Sequence, residues 1–197
     1  MPILTTQKWV RVATALAAGV LFLAVSMSGQ ANPAFWQLEW PQTDFSKSSV
    51  PLENIFSGGV PKDGIPPIYN PRFASIEEVD SLYVGTEPMI TISINGEARA
   101  YALGVLMTHE IVNDVLGGMP IAVTWCPLCN SAFVFDRTID GKVHEFGVSG
   151  KLYNSNLVMW DRQTESWWLQ FTGQAIVGEL TGVELDFLPS RTESFDR

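Results

Sequence analysis

The chain has 197 residues, of which 46% are hydrophobic and 17% are charged, and its formal net charge is −9. This length and apolar content suffice for one domain with its own core. The acidic balance argues against nucleic acid and anionic lipid surfaces as partners, because both are bound by clusters of Lys and Arg. Two cysteines cannot form a disulfide framework, so the hydrophobic core must supply the stability.

The N-terminus has the layout of a secretory signal peptide. Lys8 and Arg11 precede an uncharged apolar stretch over residues 12–25, and small residues follow as far as Ala31. We therefore predict a signal peptide over 1–31 and an extracytoplasmic location, either periplasmic or secreted. The alternative is an uncleaved segment that contacts the membrane, although a full span needs about 20 apolar residues.

Residues 32–62 are rich in Pro, Ser, Gly and Asn and show no sustained period, which predicts an extended leader. Residues 63–197 are then expected to form one domain. Its clearest local signal is "MITISINGEARAYAL" (89–103), in which two alternating runs flank Asn95-Gly96. This pattern predicts a hairpin with a type I′ turn.

The next stretch, "LGVLMTHEIVNDVLGG", changes its period. Apolar residues recur at helical spacing and Gly117-Gly118 follows them, which predicts a helix at about 104–116. Further strands are predicted in "PIAVTW", which leads into Cys126, and in a second hairpin that turns at Asp140-Gly141. The expected fold class is α+β, mostly antiparallel β with one principal helix and a CxxC turn between strands.

Cys126 and Cys129 stand in "TWCPLCNSAFVF", and three chemistries compete for this pair. In a metal knuckle, a tight turn between strands supplies two of the four ligands of a tetrahedral ion such as zinc. Such turns place Gly after the second Cys because φ becomes positive there, and Asn130 is the next most tolerant residue type. Zinc, iron and copper are the candidate ions.

The second reading is a redox pair. In thioredoxin-like proteins a helix follows the C-x-x-C and lowers the thiol pKa, whereas "SAFVFD" reads as a strand. The third reading is a structural disulfide, which the chain-entropy estimate values at only about 2 kcal/mol for so short a loop. The sequence leaves the three readings open.

His109 is the preferred third metal ligand. On the predicted helix, Asn113 would lie one turn further on and could orient its imidazole by a hydrogen bond. His144, in "KVHEF", is expected to be an ordinary strand histidine.

Polar residues inside apolar segments form the candidate second shell or pocket, because buried polar groups need hydrogen-bond partners. In a pocket, Arg137 or Arg162 would meet an anionic group between Trp walls. The ordinary alternative is that these residues form turns and ion pairs. The candidates are Glu110, Asn113, Asp136, Arg137, Asn154, Ser155, Asp161 and Arg162.

Several motifs together resemble the DUF3179 family of bacterial and archaeal proteins, a domain of unknown function. They are "DGIPPIYNPRF", "HEIVND", "VTWCPLCNSAFVFDR", "FGVSGKLYNSNLVMWDRQTES" and "GQAIVGEL". The resemblance runs from about Asp63 to Leu188 and implies an exported or externally anchored protein without implying an activity. His144 is not at a motif position, and Asn130 stands where Gly is usual. Since family members continue well past "LPS" (188–190), the chain is expected to be a C-terminally truncated member.

The leading hypothesis is an exported protein that binds a metal ion through Cys126, Cys129 and His109. The alternatives are a thiol–disulfide redox protein that uses the two cysteines, and a ligand-binding module with a structural CxxC. The sequence does not decide between an enzyme and a binding protein, and its expected partner is a small-molecule or protein ligand.

Overall fold

The computed structural model describes residues 33–197. Its helices are short: α1 (Pro33–Glu39), α2 (Ile76–Val79) and α3 (Leu103–Leu106), with 3-10 turns at Leu52–Asn54 and Pro127–Cys129. The strands are β1 (Ile55–Ser57), β2 (Ile68–Tyr69), β3 (Pro88–Ile94), β4 (Glu97–Ala102), β5 (Ile111–Leu116), β6 (Met119–Cys126), β7 (Ser131–Asp136), β8 (Thr138–Ile139), β9 (Lys142–Val143), β10 (Phe146–Tyr153), β11 (Asn156–Asp161), β12 (Trp167–Leu169), β13 (Gln174–Val177), β14 (Phe187–Leu188) and β15 (Arg191–Ser194). The predicted class, α+β and mostly antiparallel β, is confirmed.

The strands form three main sheets and one small hairpin. Sheet A has the order β1-β10-β11-β12-β13, sheet B the order β14-β7-β6-β5-β2, and sheet C the order β15-β3-β4. The β8–β9 pair is separate. Among the strands of residues 33–197, all pairs are antiparallel except β2 and β5.

Sheet B is the middle layer, as strand β6 shows. Ala122 and Cys126 belong to the core cluster that sheet B shares with sheet A. Val123 and Trp125 belong to a second cluster, which sheet B shares with sheet C. Because successive side chains of a strand point to opposite faces, β6 is apolar on both sides and buried on both.

The leader region covers the outer face of sheet A. Trp36 on α1 and the fully buried Trp40 pack against Trp167, with ring centroids 5.0 and 4.8 Å away. Further along, Lys62 Nζ lies 2.8 Å from a Glu165 carboxylate oxygen. The segment predicted as an extended leader thus begins with a helix and adds two tryptophans to the core.

The predicted signal peptide lies outside the described residues. None of the helices formed by residues 33–197 has the length and apolar character that crossing a membrane requires.

The predicted helix at about 104–116 is wrong in extent. Only Leu103–Leu106 is helical, and β5 follows a turn at His109 and Glu110. Residues 111–114 are all buried because β5 lies inside sheet B, between sheets A and C. The sequence of β5 is IVNDVL, so its apolar residues fall at positions 111, 112, 115 and 116, a spacing that also fits one face of a helix.

Both predicted tight turns are confirmed. Asn95 and Gly96 join β3 to β4 with φ values of 51° and 86°, and Asp140 and Gly141 join β8 to β9 with φ values of 48° and 73°. A type I′ turn requires positive φ at both central residues, which Asn, Asp and Gly tolerate best.

Candidate functional site

The CxxC segment is a turn between neighbouring strands, as the sequence predicts. Cys126 ends β6 and pairs with Ser131, the first residue of β7. The chain reverses through the 3-10 turn Pro127–Cys129, and Asn130 takes a left-handed conformation with φ of 48°. Asn is one of the few residue types that adopt this conformation at low cost, which explains how it stands in place of Gly.

The two thiols are free and differ in access to solvent. Cys126 is 1% exposed, whereas Cys129 is half-buried. Burial, together with a hydrogen bond to the Cys129 thiol, raises the pKa of Cys126 to about 11. Backbone N–H groups of Leu157 and Cys129 act in the opposite direction by donating to the Cys126 sulfur. Cys126 is therefore a protonated thiol at neutral pH.

A second turn presents its backbone to the two sulfurs. Asn154 and Ser155 join β10 to β11 with φ values of 50° and 62°, both left-handed. The Ser155 carbonyl accepts hydrogen bonds from the thiols of Cys129 at 3.2 Å and Cys126 at 3.9 Å. The structure thus brings one of these candidate residues, Ser155, to the cysteines, and the contact is made by its main chain.

A buried polar network supports this arrangement. Asn156 Nδ2 lies 3.5 Å from the Cys129 sulfur and donates to Gln170 Oε1 at 2.9 Å. Gln170 Nε2 in turn donates to Thr124 Oγ1 at 3.1 Å, so the network links sheet A to sheet B. Asn156, Gln170 and Thr124 are at most 5% exposed. Asn156 and Thr124 were not among the sequence candidates, although a polar residue in a strand of large apolar residues is a signal for such a network.

His109 makes a different contact from the predicted one. It lies on the turn after α3, half-buried, and its Nδ1 is 2.7 Å from the Pro66 carbonyl oxygen. Asn113 does not orient the imidazole, because both polar atoms of its side-chain amide are bonded elsewhere. Instead, Asn113 donates to and accepts from the backbone of Phe146, both at 2.8 Å, and joins sheet B to sheet A.

Within residues 33–197, no three His, Cys, Asp or Glu side chains are grouped so that they could hold a metal ion. The structure therefore joins Cys126 to Cys129 but does not add His109 to them as a third ligand.

Glu110 stands at a strained position in the same turn. Its φ is 58°, and its carbonyl accepts a hydrogen bond from the Trp125 N–H at 2.8 Å. Burial raises the pKa of its carboxyl to about 7. This carboxyl therefore titrates near neutral pH.

His144 and Asp161 form a buried pair apart from the cysteines. His144 Nδ1 lies 3.1 Å from Asp161 Oδ1, and the two residues are 4% and 0% exposed. Asp161 also accepts hydrogen bonds from Trp168 Nε1 at 2.9 Å and from the Thr164 N–H at 2.8 Å. His144 thus lies between β9 and β10 and not within a strand, and its ring is held by this buried contact.

The charged pocket candidates are held by structural contacts. Arg137 donates to the carbonyls of His144, at 2.9 Å, and Asp114, and Asp136 accepts from the Thr138 N–H at 2.8 Å. Within the described part of the chain, Arg137 and Asp136 form no ion pair with each other.

Arg162 donates to Asp63 Oδ2 and to the Tyr69 hydroxyl, both at 2.6 Å. Its guanidinium also lies 4.7 Å from the centroid of the Trp160 ring. Arg162 thus lies against a Trp ring, as the predicted pocket requires. Its guanidinium group, however, already forms an ion pair with Asp63.

Comparisons with known proteins give a family and nothing finer. A search of curated proteins and a search of solved structures each found no match. The model of the family described as "Protein of unknown function (DUF3179)" matches residues 62–197, which is well over half of the chain and includes the cysteine turn and the network behind it. The chain belongs to the DUF3179 family.

Proposed function

We propose that this protein is a thiol–disulfide redox protein in which Cys126 and Cys129 alternate between a dithiol and a disulfide. The observation that carries the proposal is a pair of adjacent free thiols with unequal access, one buried and one half-buried. The predicted signal peptide supports an extracytoplasmic compartment, where disulfide chemistry is sustained.

The two cysteines have different roles in the proposed exchange. The Cys129 thiolate attacks a substrate disulfide, which forms a mixed disulfide and releases one substrate thiol. Cys126 then loses its proton and attacks the Cys129 sulfur, so the second substrate thiol leaves and an intramolecular disulfide remains. Two electrons pass from the dithiol to the substrate, and the reverse sequence oxidises a substrate dithiol.

The surrounding hydrogen bonds favour the reduced form. The Ser155 carbonyl accepts from a sulfur only while that sulfur carries a proton. These contacts are lost when the disulfide forms, so they stabilise the dithiol and make the disulfide more oxidising. The strained geometry of a four-residue disulfide loop acts in the same direction.

The test is the reduction potential of the pair. The protein is equilibrated in glutathione buffers, its free thiols are alkylated, and the alkylated fraction is determined by mass spectrometry. We expect a reversible two-electron couple between about −270 and −120 mV, the range of exchange-active proteins. Cys126→Ser and Cys129→Ser should each abolish the couple, and Cys129→Ser should also remove the fast-alkylating thiol. A potential below about −300 mV, or no disulfide in folded protein, would contradict the proposal.

A second candidate is a soft cation held by the two sulfurs alone. It is supported by the N–H groups of Leu157 and Cys129 and the Asn156 amide, which donate to sulfur and would stabilise two thiolates. Zinc prefers four ligands, whereas thiolate pairs select Cu(I), so copper fits the described residues better than zinc or iron.

Competition for Cu(I) against a chromophoric chelator tests this candidate. Binding should be lost in the double Cys126→Ser/Cys129→Ser variant and retained in His109→Ala. Retention in the double variant would contradict a site on the sulfurs, and loss in His109→Ala would contradict a two-sulfur site.

A further inference from the structure

A groove of about 1110 Å³ runs between sheet C and the segment 71–83. Neither cysteine lines it, so it is separate from the site above. It contains residues from both faces of β4, including Ala100 and Tyr101, and β4 pairs only with β3 among the described strands. The groove therefore wraps around the edge strand of the sheet.

Small side chains form the floor of the groove. Thr91 pairs with Ala100, and Ser93 pairs with Ala98, so all four lie on the same outer face of sheet C. The opposite face carries Ile92 and other large residues that pack into the core. Alternation of small and large side chains along β3 and β4 thus leaves depth on the outer face.

The walls are apolar and aromatic. Phe73 meets Tyr101 edge to face with ring centroids 5.6 Å apart, and Tyr83 meets Phe195 at the same distance. Ile76, at the start of α2, also lines the groove and is 70% exposed. A ligand with an apolar body would remove these surfaces from water.

Arginines outnumber acidic residues among the side chains that line the groove, although the chain has a net charge of −9. Arg72, Arg99, Arg191 and Arg197 line it. The single acidic residue among its described lining residues is Glu193, which is hydrogen-bonded to Thr91.

The guanidinium group of Arg99 already has partners within the protein. It pairs with Asp114 and lies over the Phe73 ring, 4.4 Å from its centroid. The side chains of Arg72, Arg191 and Arg197 have no ion pair or hydrogen-bond partner among residues 33–197. These three arginines are exposed and line a largely apolar groove.

We propose that this groove binds an amphipathic organic anion, a carboxylate joined to an apolar chain or ring. A guanidinium group matches a carboxylate in planar, two-point hydrogen bonding. The aromatic walls and the floor of small side chains accommodate the apolar part, as in ligand sites that combine apolar linings with a few polar anchors.

The test uses dodecanoate below its micelle concentration, titrated calorimetrically into the full chain, with dodecyltrimethylammonium as the probe of opposite charge. Dodecanoate should bind and the cation should not. Arg72→Gln and Arg191→Gln should each weaken dodecanoate binding by about fivefold, as expected for an exposed charge contact. Lys142→Gln, an exposed basic residue outside the groove, is the matched control and should change nothing.

A second variant tests the floor. Ala100→Trp places a large side chain on the exposed outer face, where it should fill the groove and abolish dodecanoate binding while circular dichroism shows a folded protein. Cys126→Ser/Cys129→Ser should bind dodecanoate as the wild type does, which separates this proposal from the redox one. Equal binding of both probes, no dodecanoate binding, or unchanged binding in Ala100→Trp or in both arginine variants would overturn it.

Discussion

The cysteine turn and the sheet C groove contrast in how their polar groups are satisfied. Around the turn, the thiols, Asn156 and Gln170 all have partners, and most of these groups are buried between two sheets. In the groove, three arginines have no partner among the described residues and the sheet face is open. A hydrogen-bonded thiol pair with one half-buried sulfur is suited to exchange at that sulfur, whereas an open face with unpaired charges is suited to hold a ligand.

The contrast predicts that truncating a side chain beside the cysteine turn lowers the free energy of unfolding much more than truncating one on the groove wall. Trp168 is fully buried beside the cysteine layer and donates to Asp161, whereas Phe73 on the groove wall is 44% exposed. Trp168→Ala should lower the free energy of unfolding by about 3–5 kcal/mol through cavity formation. Phe73→Ala should lower it by about 1 kcal/mol or less.

Urea denaturation of the two variants makes this comparison. Similar losses in both would mean that the groove wall is as tightly packed as the layer between sheets A and B, and would remove the contrast.

A smaller effect is expected from the polar network. Gln170→Leu removes a buried hydrogen-bond partner from both Asn156 and Ser131, and should cost about 2–3 kcal/mol. The matched control is Gln174→Leu, since Gln174 makes an exposed contact to Glu184 at 3.4 Å and should cost under about 0.5 kcal/mol.

The Gln170→Leu variant should also raise the alkylation rate of Cys129, because Asn156 is no longer held in place. An unchanged rate together with an unchanged free energy of unfolding would show that the network does not support the thiol.

The smallest effect concerns Glu110, which lies between α3 at the groove and β5 in sheet B. Its folded pKa is about 7, raised by burial from 4.5, so the folded state binds the proton more tightly. Stability from this residue is therefore present at acid pH and is lost as the pH rises from about 4.5 to 7. The carboxyl is partly solvated, so the loss should be about 1–2 kcal/mol.

The Glu110→Gln variant should lack this part of the pH dependence, as measured by unfolding at pH 5 and pH 8. Glu179→Gln, a change at an exposed residue, is the control. If Glu110→Gln keeps the pH dependence of the wild type, the titration belongs to another group.

Residues that act through local geometry could be predicted from the sequence. Asn95-Gly96 and Asn130 are positions where the backbone requires positive φ, and few residue types tolerate it. The CxxC turn could be predicted because β-forming residues stand on both sides of the cysteine pair. The false helix at 104–116 and the resulting placement of His109 and Asn113 show the limit, since a doubly buried strand has no alternation to distinguish it.

The family, the mostly antiparallel β class and the cysteine turn could all be inferred from the amino-acid order, because each depends on residues that are close along the chain. What faces the cysteines was settled by the packing of the sheets. The Ser155 carbonyl and the Asn156–Gln170 network reach them from sheet A, and His109 turns to Pro66. The same packing gathered the groove's arginines from segments more than 100 residues apart. The physical reason is that long-range strand pairing and sheet stacking fix these contacts, and neither is encoded in local spacing.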